Sequence, residues 1–178
     1  MIETTIVNVV ATANLKQSVD LFELAKAEDI KYNSERYGGR VAYFKTPNME
    51  GKVSIFSSGK MISVGTKSES QARKELTLTM KFLVEKGLAK SIELQPKTQN
   101  LVATADFEKC IDLEKIPEDT GAIYEPEQFP GAILHLETPF KTTILVFASG
   151  KAVITGLKSS DQINPTIRRI EEIIASYE

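Results

Sequence analysis

Phe56-Ser57-Ser58-Gly59-Lys60 returns almost unchanged as Phe147-Ala148-Ser149-Gly150-Lys151, at an offset of 147 − 56 = 91 residues. Outward from that echo the register holds: Gly65 and Lys67 match Gly156 and Lys158 at the same offset. Upstream, Asn8-Val9-Val10-Ala11-Thr12-Ala13 returns as Asn100-Leu101-Val102-Ala103-Thr104-Ala105, an offset of 100 − 8 = 92, as do Tyr32, Glu35 and Gly39 as Tyr124, Glu127 and Gly131. One residue has been gained or lost between Pro47 and Phe56, an indel that a surface turn absorbs. A missed repeat misassigns a whole fold, so the duplication is read first. The chain divides into two copies of one unit, residues 1–91 and 92–178.

The 178 residues are 42% hydrophobic and 26% charged, enough for an ordinary core. A single cysteine, Cys110, excludes an internal disulfide framework, and no Cys/His ligand cluster suggests a metal or other cofactor. With one histidine and no glycine-rich phosphate loop, the parts of an enzyme are missing. No apolar run approaches the roughly 18 residues of a membrane span, and no basic segment precedes an apolar one at the start, so a cytoplasmic protein without membrane association is expected. Net charge is −2, but residues 1–90 carry 14 basic against 10 acidic side chains, 14 − 10 = +4, and residues 91–178 carry 8 against 14, 8 − 14 = −6. Homologous halves of opposite charge have specialised for different neighbours.

Each half reads as strand, helix, four strands, helix, an α+β pattern. Residues 5–13 and 99–105 are β-branched and small-residue runs suited to strands. Asn14 and Asp106 stand where a helix cap belongs, with Leu15, Val19 and Phe22, then Phe107, Ile111 and Leu113, as the buried stripes. Val53 to Phe56 and Met61 to Gly65 form a hairpin through Ser57-Ser58-Gly59, repeated between Ile144 and Gly156. Ser68 with Gln71 opens a helix of buried face Ala72, Leu76, Met80 and Leu83 that Gly87 stops. The last helix restarts after a turn, with Asn164 as cap and Pro165 in first position, burying Ile167, Ile170 and Ile174.

Two helices per half cover one face of a sheet, yet the strands are apolar on both. Val53 and Ile55 alternate with Phe56, and Ile144 and Val146 alternate with Leu145 and Phe147. A monomer seldom leaves so large an apolar patch open without something to bind it. The open face is the functional candidate.

The duplicated unit, the Asn-x-Val-x-Thr start of each copy, the Tyr-(x)2-Glu-x-aromatic-x-Gly segments and the two Phe-x-Ser-Gly-Lys hairpins followed by Gly-x-Lys together resemble the TATA-box-binding protein family in its short archaeal form, over essentially the whole chain. The resemblance implies two pseudo-symmetric β-α-β-β-β-β-α repeats forming one saddle-shaped curved antiparallel sheet with helices on the convex face. It implies a general transcription initiation factor, not an enzyme, that binds the minor groove of A·T-rich double-stranded DNA and kinks it with aromatic wedges, the mechanism for which this family is the standing example. Carried over residue by residue, the wedges are Tyr37 with Phe56 and Phe129 with Phe147. Asn8 and Asn100 meet acceptors of the central base pairs; Val10, Val102, Ile62, Val153, Leu145 and Thr155 line the groove; Lys60, Lys67, Lys151 and Lys158 flank phosphates. Glu125 and Glu127 occupy the stirrup that in this family engages transcription factor B, with RNA polymerase as the further partner and a homodimer as the arrangement without DNA.

The A·T minor groove offers only acceptors, which an amide NH2 satisfies, whereas G·C adds a donor that an apolar sheet rejects. Several residues depart from the family pattern. Tyr37 stands for a phenylalanine, Ser54 and Val64 for an apolar residue and a threonine, His135 for an arginine and Gln128 for a leucine. Ser54, Val64 and Tyr37 motivate the alternative of a divergent paralogue with weak DNA binding that acts as a protein adaptor in transcription. Alone, each fragment has a plainer reading: Phe56 and Phe147 as core aromatics, Ser-Gly-Lys as a turn with a solvated lysine, the asparagines as turn formers, Glu125 and Glu127 as a solvated loop, Tyr37 and His135 as surface residues and Cys110 as core.

Overall fold

The computed structural model describes residues 2–116 and 120–176. Its contacts divide the chain into two compact units, one from Asn8 to Gln99 and the other from Asn100 onward together with the chain up to Val7.

The first unit contains most of β1 (Glu3–Asn14), then α1 (Leu21–Leu24), β2 (Ile30–Tyr32), β3 (Val41–Phe44), β4 (Lys52–Phe56), β5 (Lys60–Thr66) and α2 (Glu69–Glu85). Its strands lie in the order β2-β3-β4-β5-β1, and the pairings of the ladder are antiparallel. Burial alternates along them with the period of two that a half-covered sheet requires. Val53, Ile55, Met61 and Ser63 are buried, while Ser54, Phe56, Ile62 and Val64 between them are partly exposed. α2 packs on β4 and β5, burying Ala72, Leu76, Met80 and Leu83 as its spacing predicts. Ser68 Oγ caps it by accepting from Gln71 N–H at 3.1 Å. Gly87 (φ +71°) ends it, with Leu88 N–H donating to Leu83 O and Gly87 N–H to Val84 O.

The second unit contains β6 (Lys97–Asp106, of which it holds the part from Asn100), β7 (Gly131–Leu136), β8 (Thr142–Phe147), β9 (Lys151–Leu157) and α3 (Ile163–Ala175). Its order is β6-β9-β8-β7, with the opening residues of β1 beside β6. The alternation recurs: Ile144, Val146, Ala152 and Ile154 are buried, and Leu145, Phe147, Val153 and Thr155 are half-buried. α3 buries Ile163, Ile167, Ile170 and Ile174. The counterpart of β2 is reduced to one bridge, Ile123 to Ile133.

Three expectations need correction. The helix predicted after Asn14 does not start there: α1 is four residues long and is capped by Asp20, whose Oδ1 accepts from Phe22 and Glu23 N–H. The intervening backbone is committed elsewhere. Asn14 Oδ1 accepts from Lys16 N–H in a turn that puts Lys16 at φ +54°, and the N–H groups of Leu15 and Val19 donate to Gly59 O and Ser57 O of the hairpin. The repeat does the same through Asp106 and Glu108 (φ +55°), with Phe107 and Ile111 N–H donating to Gly150 O and Ala148 O. Phe22 is consequently not in the core but 71% exposed, edge-on to Tyr32. Cys110, in the segment from Phe107 to Ile111 that straps across the second hairpin, is exposed rather than buried. The third correction concerns α3, which begins after a 3-10 turn at Ser160–Gln162 with Gln162 in the cap position, two residues before Asn164. Proline lacks only an N–H that the first turn leaves unbonded in any case, so Pro165 fits inside it.

Candidate nucleic-acid interface

The repeated hairpins are built identically. Gly59 N–H donates to Phe56 O and Gly150 N–H to Phe147 O, both at 2.9 Å, with the glycines at φ +91° and +87°. A Cβ on either would sit 2.0 Å from Gln17 O or 2.1 Å from Lys109 O. Glycine is therefore required twice over, by conformation and by the strap crossing it. The effect is to hold Phe56 with Lys60, and Phe147 with Lys151, at the ends of rigid hairpins. All four lysines singled out by the resemblance, Lys60, Lys67, Lys151 and Lys158, are exposed.

Asn8 and Asn100 are fixed by a second shared device. Near each lies a bulge, one extra residue of β5 or β9 opposite Val10 or Val102, between the pairs Val9–Thr66 and Ala11–Ser63 and between Leu101–Leu157 and Ala103–Ile154. Gly65 and Gly156, both at φ +90°, belong to these bulges. A bulge leaves a backbone group outside the regular ladder. Here Gly65 N–H donates to Asn8 Oδ1 and Gly156 N–H to Asn100 Oδ1, at 2.8 Å each. An N–H donor admits only the amide oxygen, so the orientation of both amides is settled. What each asparagine has left to offer is its NH2.

The remaining groove candidates share the open face of their units. Val10, Ile62, Val102, Leu145, Val153 and Thr155 are all half-buried. Cross-strand pairing sets Ile62 between Ser54 and Thr12 in the first unit, and Val153 between Leu145 and Thr104 in the second. Thr12 and Thr104 belong to this row; they close the repeated Asn-x-Val-x-Thr motif but were not among the groove candidates, although their spacing of two from Val10 and Val102 carries the signal. A cavity of about 510 Å³ opens beside Phe147, Lys151, Val153 and Thr104.

The aromatic pairs differ. Phe129 and Phe147 meet edge to face, with ring centroids 5.8 Å apart. Gly131 makes room for them, since a Cβ there would lie 2.9 Å from Phe129 Cε1 and 3.2 Å from Phe147 Cε1. Tyr37 is 73% exposed at φ +51°, followed by two more positive-φ residues, and among the described residues no ring lies against it. The ladder shows why. Gly131 pairs with Phe147, but Val41, not Gly39, pairs with Phe56. β3 is thus displaced by two residues from the register that the sequence repeat implies, which carries Tyr37 away from Phe56.

Glu125 and Glu127 are exposed on a tight turn in which Glu125 O accepts from Gln128 and Phe129 N–H, at 2.9 and 3.0 Å. His135 is exposed, its Nδ1 3.2 Å from Thr143 Oγ1. No helix among the described residues is long and apolar enough to cross a membrane.

The family model described as transcription factor TFIID, or TATA-binding protein, matches the chain twice, over residues 3–85 and 95–177. The TATA-box-binding protein of Cenarchaeum symbiosum is 41% identical over 160 residues, covering 89% of this chain and 86% of that protein. The TATA-box-binding protein of Aeropyrum pernix is 36% identical over 170 residues, covering 94% and 82%. The structure of Methanococcus jannaschii TBP superposes with a TM-score of 0.87 at 35% identity, covering 98% of this chain and 99% of that one.

Proposed function

We propose, from the premise that this chain belongs to the TATA-box-binding protein family, that it is a general transcription initiation factor that binds A·T-rich promoter DNA through the minor groove. The observation that carries the reading is the matched pair Asn8 and Asn100. Each amide is locked by a bulge glycine with its NH2 unused, on a face otherwise lined by half-buried apolar side chains. Such a surface suits a groove floor of acceptors alone. Phe147 with Phe129, and Phe56 in the first repeat, wedge between base steps, and unstacking costs a few kcal/mol per step that the wider groove contact offsets. The exposed lysines at the hairpin ends take phosphates, and the acidic turn at Glu125 and Glu127 engages transcription factor B, bringing RNA polymerase to the bent promoter.

The test is binding of the purified chain to an A·T-rich and a G·C-rich duplex carrying end labels that report bending, alongside Phe147→Ala and Phe129→Ala. Selective, bent binding that the substitutions abolish supports the reading. Bending unchanged in both variants removes the wedge assignment. Equal or absent binding to the two duplexes, with transcription factor B present, favours the adaptor reading, which rests on Tyr37 lying apart from Phe56 and on Ser54 within the open face.

A further inference from the structure

The outer strands of the first unit hold a recess that the groove reading leaves unused. It has a volume of about 470 Å³ and is lined by Lys31, Arg36, Lys45 and Lys52 around Tyr43, with Glu28 and Asp29 also on its wall. Four cations face two carboxylates, and none of the four belongs to an ion pair among the described residues. Lys52 Nζ lies over the Tyr43 ring, 4.8 Å from its centroid, a contact that positions the ammonium while leaving its N–H donors unused. Lys45 Nζ donates to Glu50 O at 3.3 Å, which again uses no charge.

Register places the recess on the open face. Lys31 pairs with Tyr43, Tyr43 with Ser54, and Ser54 with Ile62, so Lys31 and Tyr43 continue the row that carries the groove candidates. The same row in the second unit runs Ile123, Ile133, Leu145, Val153. Lys52, opposite Val64, has Thr143, opposite Thr155, as its counterpart. The outer edge of the open face is cationic in one repeat and apolar in the other, where Ile123 is 47% exposed.

We propose that this recess seats a phosphate of the DNA backbone beside the bound groove, a charge-dependent grip at the outer edge of the first repeat that has no counterpart at the outer edge of the second. The inference rests on the DNA-binding reading and deepens it. A phosphate contact positions the protein without reading sequence and releases counterions, so each adds about −0.9 to the slope of log affinity against log salt.

The test is that slope for the full chain on the A·T-rich duplex, comparing wild type, Lys45→Gln with Lys52→Gln, and a charge-matched control on α2, Lys74→Gln with Lys81→Gln. The recess pair is expected to make the slope shallower by about 0.9, the share of one phosphate, so that the loss over a fourfold rise in salt shrinks by roughly three- to fourfold. Its preference for A·T over G·C stays that of wild type, and the control pair keeps the wild-type slope. Selective wild-type binding with the recess pair on the wild-type slope, or with both pairs shifted equally, overturns the recess alone. No wild-type binding to either duplex overturns the DNA reading and the recess together.

Discussion

Asn100→Asp separates what this residue does for the fold from what it does for binding. The replacement is isosteric and keeps an oxygen for Gly156 N–H, now 2.8 Å from Asn100 Oδ1. A backbone N–H donating to a carboxylate makes a bond at least as strong as one to an amide, so stability is expected to stay within about 0.5 kcal/mol of wild type. The two N–H donors are lost, and a negative charge faces a groove floor of acceptors between phosphates. A good base contact is worth about 1–3 kcal/mol, and repulsion adds to the loss. With 1.4 kcal/mol per decade, affinity for the A·T-rich duplex should fall at least tenfold and approach a hundredfold. Asn100→Ala supplies the contrast. It also strips the acceptor from Gly156 N–H, and an unsatisfied, partly buried N–H costs about 1–3 kcal/mol, so that variant should lose stability as well as DNA binding. Urea unfolding followed by circular dichroism measures one effect, and fluorescence anisotropy with a labelled duplex the other. An Asp variant that binds DNA as wild type does would refute the assignment of the NH2 to the groove. One that unfolds as easily as the Ala variant would refute the claim that only the oxygen serves the fold.

Gly150→Ala and Gly87→Ala share a left-handed φ, +87° and +71°, but only Gly150 has a carbonyl against it, since a Cβ at Gly87 meets nothing within 4 Å. Gly87→Ala should cost about 1–2 kcal/mol; Gly150→Ala should cost roughly twice that, because relieving the 2.1 Å approach also loosens the Phe107 and Ile111 strap bonds, each worth about 1 kcal/mol. Equal urea midpoints for the two would deny the strap its structural role. Thr66→Val removes a fully buried hydroxyl that has no partner in a place where the repeat has Leu157, and should raise stability by about 1 kcal/mol; a lowered midpoint contradicts it. Gly131→Ala should drive Phe129 and Phe147 apart and reduce DNA bending measured by energy transfer while the preference for A·T persists. Undiminished bending would mean that the assembled ring pair is not the wedge.

The features legible in the sequence follow local rules written twice. Alternation along β4, β5, β8 and β9 separates the covered face from the open one because successive side chains point to opposite sides, and both copies show it. Gly59 and Gly150 read as turn residues from the motif alone. The crossing strap that makes them indispensable did not, because Leu15, Val19, Phe107 and Ile111 have helical spacing. Their N–H groups instead bond hairpin carbonyls more than 35 residues away, 59 − 15 = 44 for the first of them. Spacing reports which residues share a face and is silent on which acceptor wins the backbone.

The displacement of β3 was hidden for a deeper reason. A strand that slips by one residue turns its apolar set to the wrong face, and the hydrophobic pattern forbids it; a slip of two restores the faces and leaves the pattern unchanged. Aligning the repeats sets Tyr43 against His135 at the offset of 92, whereas the ladder sets Tyr43, opposite Ser54, in the place of Ile133, opposite Leu145. The connection from Phe44 to its partner Val53 spans 53 − 44 = 9 positions, against 142 − 136 = 6 from Leu136 to Thr142, and the longer one permits the shift. The pattern was thus satisfied while the positions at the outer edge changed. Tyr37 was carried away from Phe56, and Tyr43 took the place of Ile133 beside Lys31, which aligns with Ile123 at the plain offset of 92. The two repeats therefore carry different chemistry on their open faces, an assembled aromatic pair in the second and an unpaired cationic edge in the first. A deletion that shortened the Thr46–Gly51 connection would be expected to return Tyr37 toward Phe56 at the expense of the recess.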